Sequence, residues 1–355
     1  MFGNGESISI FNSFHKRNEL KPIKLFFLIA PLLLFMGCST KNYYQPSEDT
    51  SYLSFDDGNV EDIIKKNIHI VQFEDGGIVT DKFLKFKLAK DEKVLNYIKQ
   101  TGNIATINDN FLVTIYTPEG KQFYQKQLNE SIINASLNKN LFIILTAKNR
   151  VKLFDTNSDR ILFEQKFDKS YSINAKIATP FFSDKLIAIP TLDGRLVFIT
   201  HGGKMVKNNP ISNKPSFNNV IFLDVVDGDI IAATPSRVIA IFDGDSNKID
   251  EKIKDIIVVE NNLYIFTNDG KIIQTDSKLN KIREKKYKFA LFSKSQSDGN
   301  FIYTIEKTGY LIINKLNLSK DIIFDIPEID TDLFMNKTHI IYDNNIIEYN
   351  SISKP

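Results

Sequence analysis

Beyond residue 67 the chain switches, at near-regular intervals, between polar turns and apolar runs rich in β-branched and aromatic residues. Successive stretches read "NIHIVQFEDGGIV", "NDNFLVTIYTPEGKQF", "NKNLFIILTAKNRVKLF", "SDKLIAIPTLDGRLVFI", "DGDIIAATPSRVIAIF", "ENNLYIFTNDGKIIQT", "DGNFIYTIEKTGYLII" and "NKTHIIYDNNIIEY". Each is a run, a short Gly/Asn/Ser turn and a second run. Such residues favour strands, and such turns accept positive φ, so each stretch predicts a hairpin. The tips fall near Gly76, Gly120, Asn149, Gly194, Ser236, Gly270, Gly309 and Asn345, a mean spacing of about 38 residues.

Most hairpins are followed by a further turn and a polar run, as in "FDTNSDRILFEQKF" (154–167), "FDGDSNKIDEKI" (242–253) and "TDSKLNKIREKKY" (275–287). Four strands in about 40 residues make one propeller blade. The prediction is an all-β, eight-bladed β-propeller of four-stranded blades, with its ring closed by pairing of N- and C-terminal strands. The last unit stops after its third strand, at "IIEYN", and the stretch 52–66 is expected to supply its outer strand. No long helical period occurs after residue 67, and an irregular β-sandwich would not repeat one four-strand unit. The widest tip spacings flank "GGKMVKNNPISNKPSFNN" (202–219), which reads as a long polar loop and a candidate contact surface.

The N-terminal region changes the picture from shape to location. Leu25 to Met36 is an uncharged run of twelve residues behind Lys21 and Lys24. A bilayer span needs about 20 apolar residues, whereas the apolar core of a secretory signal has about 7–15. Gly37 and Cys38 end the run, and Cys38 is the sole cysteine. A small residue followed by cysteine at this place resembles a bacterial lipobox. That resemblance implies cleavage between Gly37 and Cys38 and lipidation of Cys38, with 1–37 as signal peptide, 38–51 as flexible tether and 52–355 as propeller. Ser39 follows, where Asp would retain a lipoprotein at the inner membrane, so the expected place is the periplasmic face of the outer membrane. A start at Leu20 would make the signal more compact. Cleavage removes four basic and two acidic residues, so 318 residues with 41 of each sign remain. A neutral chain without a basic cluster gives no footing for nucleic acid. With its cysteine acylated the chain can form no disulfide, so stability must come from the core.

The unit "VKLFDTNSDRILFEQKF" resembles the repeat of quinoprotein-type propellers: a strand, then Asp, a turn, and a final strand with an aromatic residue. Eight such blades behind a lipobox cysteine resemble the BamB-like outer-membrane assembly lipoproteins. The family usually places tryptophan in the blade. This chain has none; Phe163 takes the place in one unit, and phenylalanine occurs 28 times.

Quinoprotein enzymes resemble this fold but hold their cofactor against tryptophan, near Ca²⁺ and often a cysteine pair. Those residues are missing here, so no cofactor is expected. Asp243, Asp245 and Asn247 begin like a calcium loop, but Lys248 and Lys254 stand where glycine and glutamate are needed. Arg160 and Lys166 break the turn at 155–159 in the same way, so both read as β-turns. His15, His69, His201 and His339 are too scattered for a zinc set. "TLDGR" (191–195) and "TNDGK" (267–271) recur at one place in the unit and read as structural hairpins. No catalytic or metal site is predicted, and the partner-binding residues are left unknown. The expected function is a non-enzymatic scaffold for an outer-membrane assembly protein or other envelope protein. A propeller that binds cell-wall glycan or a small ligand is the alternative, with a quinoprotein enzyme third.

Overall fold

The computed structural model describes residues 42–47, 50–54, 60–170, 174–212, 214, 217–329, 332–342 and 345–355. They form eight sheets in chain order, one per repeat: 63–79, 92–127, 132–166, 181–210, 222–249, 253–286, 292–325 and 333–348. These are blades 1 to 8 of a β-propeller. Among the described residues, blades 1 and 8 have three strands and the rest at least four. Strand burial follows position in the blade. The second strand of blade 3, Leu141–Thr146, is buried at every residue. Neighbouring blades cover both its faces, so its sequence is apolar without alternation. The outer strand Lys281–Lys286 is almost wholly exposed and carries charges that guard its edge.

Eight apolar clusters seal the eight joints between blades. Ile115, Ile132 and Phe142 belong to the joint of blades 2 and 3. Val71, Phe73 and Val79 meet Phe334 and Ile341 where blade 8 returns to blade 1. Fully burying such a side chain contributes about 1.5–3 kcal/mol, so packing closes the ring as it joins any two neighbours. Asn336 Nδ2 adds a 3.0 Å bond to the Thr80 carbonyl across the closing joint.

An N-terminal strand does pair with a C-terminal one. Ser51–Tyr52 runs parallel to Asp321–Asp325 as a fifth strand on blade 7. Tyr44, in the same segment, is buried edge-on against Tyr287 and Tyr310 at 6.0 and 5.4 Å. The pairing is not with the last blade, which stays three-stranded. Of the stretch 52–66 expected to complete that blade, Tyr52 lies on blade 7 and Ile63 to Lys66 lie in the inner strand of blade 1, Ile63–Asn67, while Val60 and Ile63 pack into the closing joint.

Two turn assignments also shift. Six tips lie in the turn between second and third strands, and Asn345 opens the third strand of blade 8. Gly120 lies one turn further on, between the third and fourth strands of blade 2. The equivalent turn there is at Phe111, an aromatic residue at φ 61° that reads as part of a strand. In the presumed loop 202–219, Met205–Pro210 is the outer strand of blade 4, paired from Ile199↔Met205 to Arg195↔Pro210. An edge strand in water needs no apolar alternation, so its polar sequence imitates a loop.

Candidate functional site

The ring's centre is built by a repeated irregularity. In five blades the inner strand carries one bulge, with Ile64, Leu95, Ile133, Lys254 and Ser293 as extra residues; that of blade 2 lies two residues nearer its hairpin than those of blades 3 and 6. A bulge re-aims the next side chain. In blade 2 that residue is Asn96, which spans to blade 3. Its Nδ2 donates to the Ala135 carbonyl at 2.8 Å, and the Ala135 N–H donates to its Oδ1 at 3.0 Å. In blade 3 it is Asn134, whose Nδ2 donates to the Ala178 carbonyl at 3.2 Å.

In blade 6 the equivalent residue is Asp255, which accepts the Ser295 N–H of blade 7 at 3.0 Å. Its position is 6% exposed, and two lysines converge on it. Lys176 Nζ lies 2.7 Å from Oδ1 and 3.0 Å from the Lys254 carbonyl; Lys294 Nζ lies 3.4 Å from Oδ2. Burial alone would raise the Asp255 pKa, but Lys176 and Lys294 hold it well below the usual carboxylate range. Burial lowers the Lys176 pKa to about 8 against the opposing pull of Asp255. Lys176 comes from the link between blades 3 and 4, so it reaches past blade 5. A second ion pair crosses the ring from blade 2 to blade 5, Lys99 to Asp224 at 2.5 Å.

Around these pairs lies a cavity of about 350 Å³. Its wall includes His69, Lys176, Asp255, Lys294 and the turn residues Asp227 and Glu260. His69 is exposed to the channel yet stands between its walls. That confinement, with Lys294 and Lys99 nearby, lowers its pKa, so the ring is neutral near pH 7. The sequence hints at this cluster only by interruptions, a charge inside "IKDIIVV" and a lysine inside "FSKSQS".

The residues singled out from sequence are dispersed. Gly37 and Cys38 lie outside the described residues. Asp243 and Gly244, at φ 44° and 84°, make a two-residue hairpin turn, and Asn247 donates to the Lys278 carbonyl at 2.8 Å. The Asp155 carboxylate accepts Asn140 Nδ2 at 2.8 Å and Ser158 Oγ at 2.5 Å. His201 Nε2 sits 2.9 Å from the Ser183 carbonyl, and His339 Nδ1 sits 2.7 Å from Thr338 Oγ1. Gly194 and Gly270, at φ 78° and 83°, leave no room for a side chain: a Cβ would lie 2.5 Å from the Asn218 carbonyl oxygen and 2.3 Å from that of Tyr287. Those hairpins are structural. Among the described residues no three His, Cys, Asp or Glu side chains converge.

One ring face gathers the turns between second and third strands together with the links between blades. Three exposed phenylalanines sit on it, Phe111, Phe217 and Phe289, all at positive φ. This conformation is strained for a bulky residue, and burial does not repay it here.

The chain is thus an eight-bladed β-propeller with a cross-braced polar channel and aromatic residues on one face. Its sequence is similar to plasminogen-binding protein PgbB of Helicobacter pylori strains J99 and 26695, 26% identical to each over 383 residues, covering 91% of this chain and 70% of the relative. Its structure is similar to BamB from Moraxella catarrhalis, with TM-score 0.59 and 13% identity over 85% of this chain and all of the other. It is also similar to the C-terminal WD40 domain of Sif2, with TM-score 0.59 and 11% identity over 85% of this chain and 99% of that one. No family model matches the chain.

Proposed function

We propose that this protein is a non-enzymatic, lipid-anchored scaffold at the periplasmic face of the outer membrane. It docks protein partners of outer-membrane barrel assembly or of a related envelope complex. The observation that supports this reading most is the likeness, over 91% of the chain, to a relative named for binding a protein. The propeller supplies a rigid ring, and its turns vary without disturbing the packed joints. The docking face is the one bearing Phe111, Phe217 and Phe289, since desolvated aromatic anchors supply much of the energy of protein interfaces. Cys38 holds the ring to the membrane.

Crosslinking in the native envelope, read by mass spectrometry, tests docking. The triple substitution of Phe111, Phe217 and Phe289 by Ser should remove the partner's crosslinks at equal protein level. Unchanged crosslinks would clear this face of the role, and crosslinks to glycan alone would refute protein docking. Palmitate-analogue labelling tests the anchor: Cys38→Ala should abolish it, and persistent labelling would disprove lipidation at Cys38.

A further inference from the structure

We infer that the central channel is a binding site for a small zwitterion of the dipeptide class. Its carboxylate would meet Lys176 and Lys294, and its ammonium would meet Asp227 and Glu260. This inference stands apart from the docking role.

The carboxylate end follows from a count of donors. Asp255 is saturated. Oδ1 takes Lys176 and the Ile256 N–H at 3.2 Å; Oδ2 takes the Ser295 N–H and Lys294. Each ammonium has three N–H groups. Lys176 uses two, on Asp255 and the Lys254 carbonyl, and Lys294 faces Asp255 Oδ2 as an ion pair at 3.4 Å. Their other N–H groups find no acceptor among the described residues. Two ammoniums against one carboxylate leave one positive charge in a confined space, where an uncompensated charge is expensive. A bound monoanion would neutralise it and accept the spare donors.

The ammonium end follows from the mouth. Asp227 and Glu260 sit on neighbouring turns after the inner strands of blades 5 and 6, and both line the cavity. Neither has an ion pair among the described residues. Together they outweigh Lys337, the unpaired lysine on the same wall. A dianion such as phosphate would overcompensate at Lys176 and Lys294 and meet repulsion at the mouth. Glu260 follows Asp255 by five residues along the inner strand, about 16 Å of rise before the side chains reach toward each other, so the two charges must be set well apart, as at the ends of a dipeptide and not in a free amino acid. About 350 Å³ is within the range of small-ligand pockets.

Isothermal titration of the full chain in detergent with alanyl-alanine and other dipeptides tests this, with acetate, methylammonium and inorganic phosphate as single-sign probes. At least one zwitterion should bind saturably, ten-fold or more tighter than any single-sign probe. Lys294→Gln should weaken it at least ten-fold. The paired change Asp227→Asn with Glu260→Gln, at exposed turns where folding is not at stake, should weaken the zwitterion and spare acetate. No saturable binding across the panel would overturn the inference. So would phosphate binding tighter than the zwitterions, or unaltered affinity in the Asp227/Glu260 variant.

Discussion

Asn96 and Asn134 tie blade 2 to blade 3 and blade 3 to blade 4 with neutral amides. Asp255, likewise the residue that follows an inner-strand bulge, ties blade 6 to blade 7, but with a carboxylate. The Asn96 bridge needs nothing further: it is 2% exposed and both its polar atoms are satisfied, whereas Asn134 leaves its buried Oδ1 without a partner. The carboxylate draws in Lys176 from two blades away and Lys294 from the next. Buried ion pairs are weak contributors to stability, since desolvation offsets most of their attraction. An asparagine would hold the joint as well. The difference teaches that the blade 6 cluster does something the joint does not require: it fixes two ammonium groups at the wall of the central cavity.

The strongest way to break this comparison is to remove the carboxylate. Asp255→Ala leaves two ammoniums facing each other and the Ser295 N–H without its acceptor. Losing one partner of a buried pair typically costs about 3–5 kcal/mol, which urea denaturation would read directly. The reciprocal exchange, Asn96→Asp, puts a carboxylate where its one side-chain acceptor partner was a carbonyl, so it should lose stability on the same scale. The two sites should then answer acid oppositely. Asp255 has a depressed folded pKa, so its stabilisation is complete above about pH 4 and is lost as pH falls below that value. A carboxylate at position 96 would have a raised folded pKa, so its penalty should be relieved as pH falls toward about 4. Parallel acid responses of wild type and Asn96→Asp would erase the distinction.

A smaller effect is expected where the joint is neutral. Asn96→Ala removes one donor and one acceptor and orphans the buried N–H and carbonyl of Ala135. An unsatisfied buried polar group costs about 1–3 kcal/mol. The loss should stay flat from pH 5 to 9 in the same denaturation series. A slope with pH would mean that charge reaches blades 2 and 3 after all.

The contrast between the two joints is one that sequence patterning could not reveal. The hairpins, the repeat and the blade count follow from strand residues and turn residues that alternate along the chain. The bulges leave no such mark. One extra residue in "EKVLNYI" or "IKDIIVV" keeps the apolar run intact while turning Asn96 or Asp255 toward the next blade. Inner strands also line the central channel, so polar residues there look like breaks in a pattern rather than a site. Lys176 and Asp255 are 79 residues apart and Lys99 and Asp224 are 125 apart; only ring closure brings them together. Phe111 hides a turn and Met205–Pro210 hides a strand for a different reason: position in the blade overrides local propensity.

The smallest expected effect lies on the alkaline side and separates the charged cluster from the rest of the ring. Lys176 has its pKa lowered to about 8, first by burial, with Asp255 pulling the other way. An unfolded lysine titrates near 10.4. Between these values the unfolded chain binds more protons at this site than the folded one, so stability rises with pH. The penalty for a confined ammonium is present in full below about pH 8 and fades above it. Buried tyrosines set the upper limit. Burial raises the pKa of Tyr264 and of Tyr124 to about 12, so their titration lowers stability above about pH 10. Wild type should therefore gain about 1 kcal/mol between pH 8 and 9.5 in urea denaturation. Lys176→Met should lose that slope, whatever its absolute stability, because the titrating group is gone. Asn96→Ala should keep it, because its joint holds no ammonium. A gain of the same size in Lys176→Met would assign the alkaline response elsewhere, Lys254 being the next candidate, since burial first and then Lys307 lower its pKa as well.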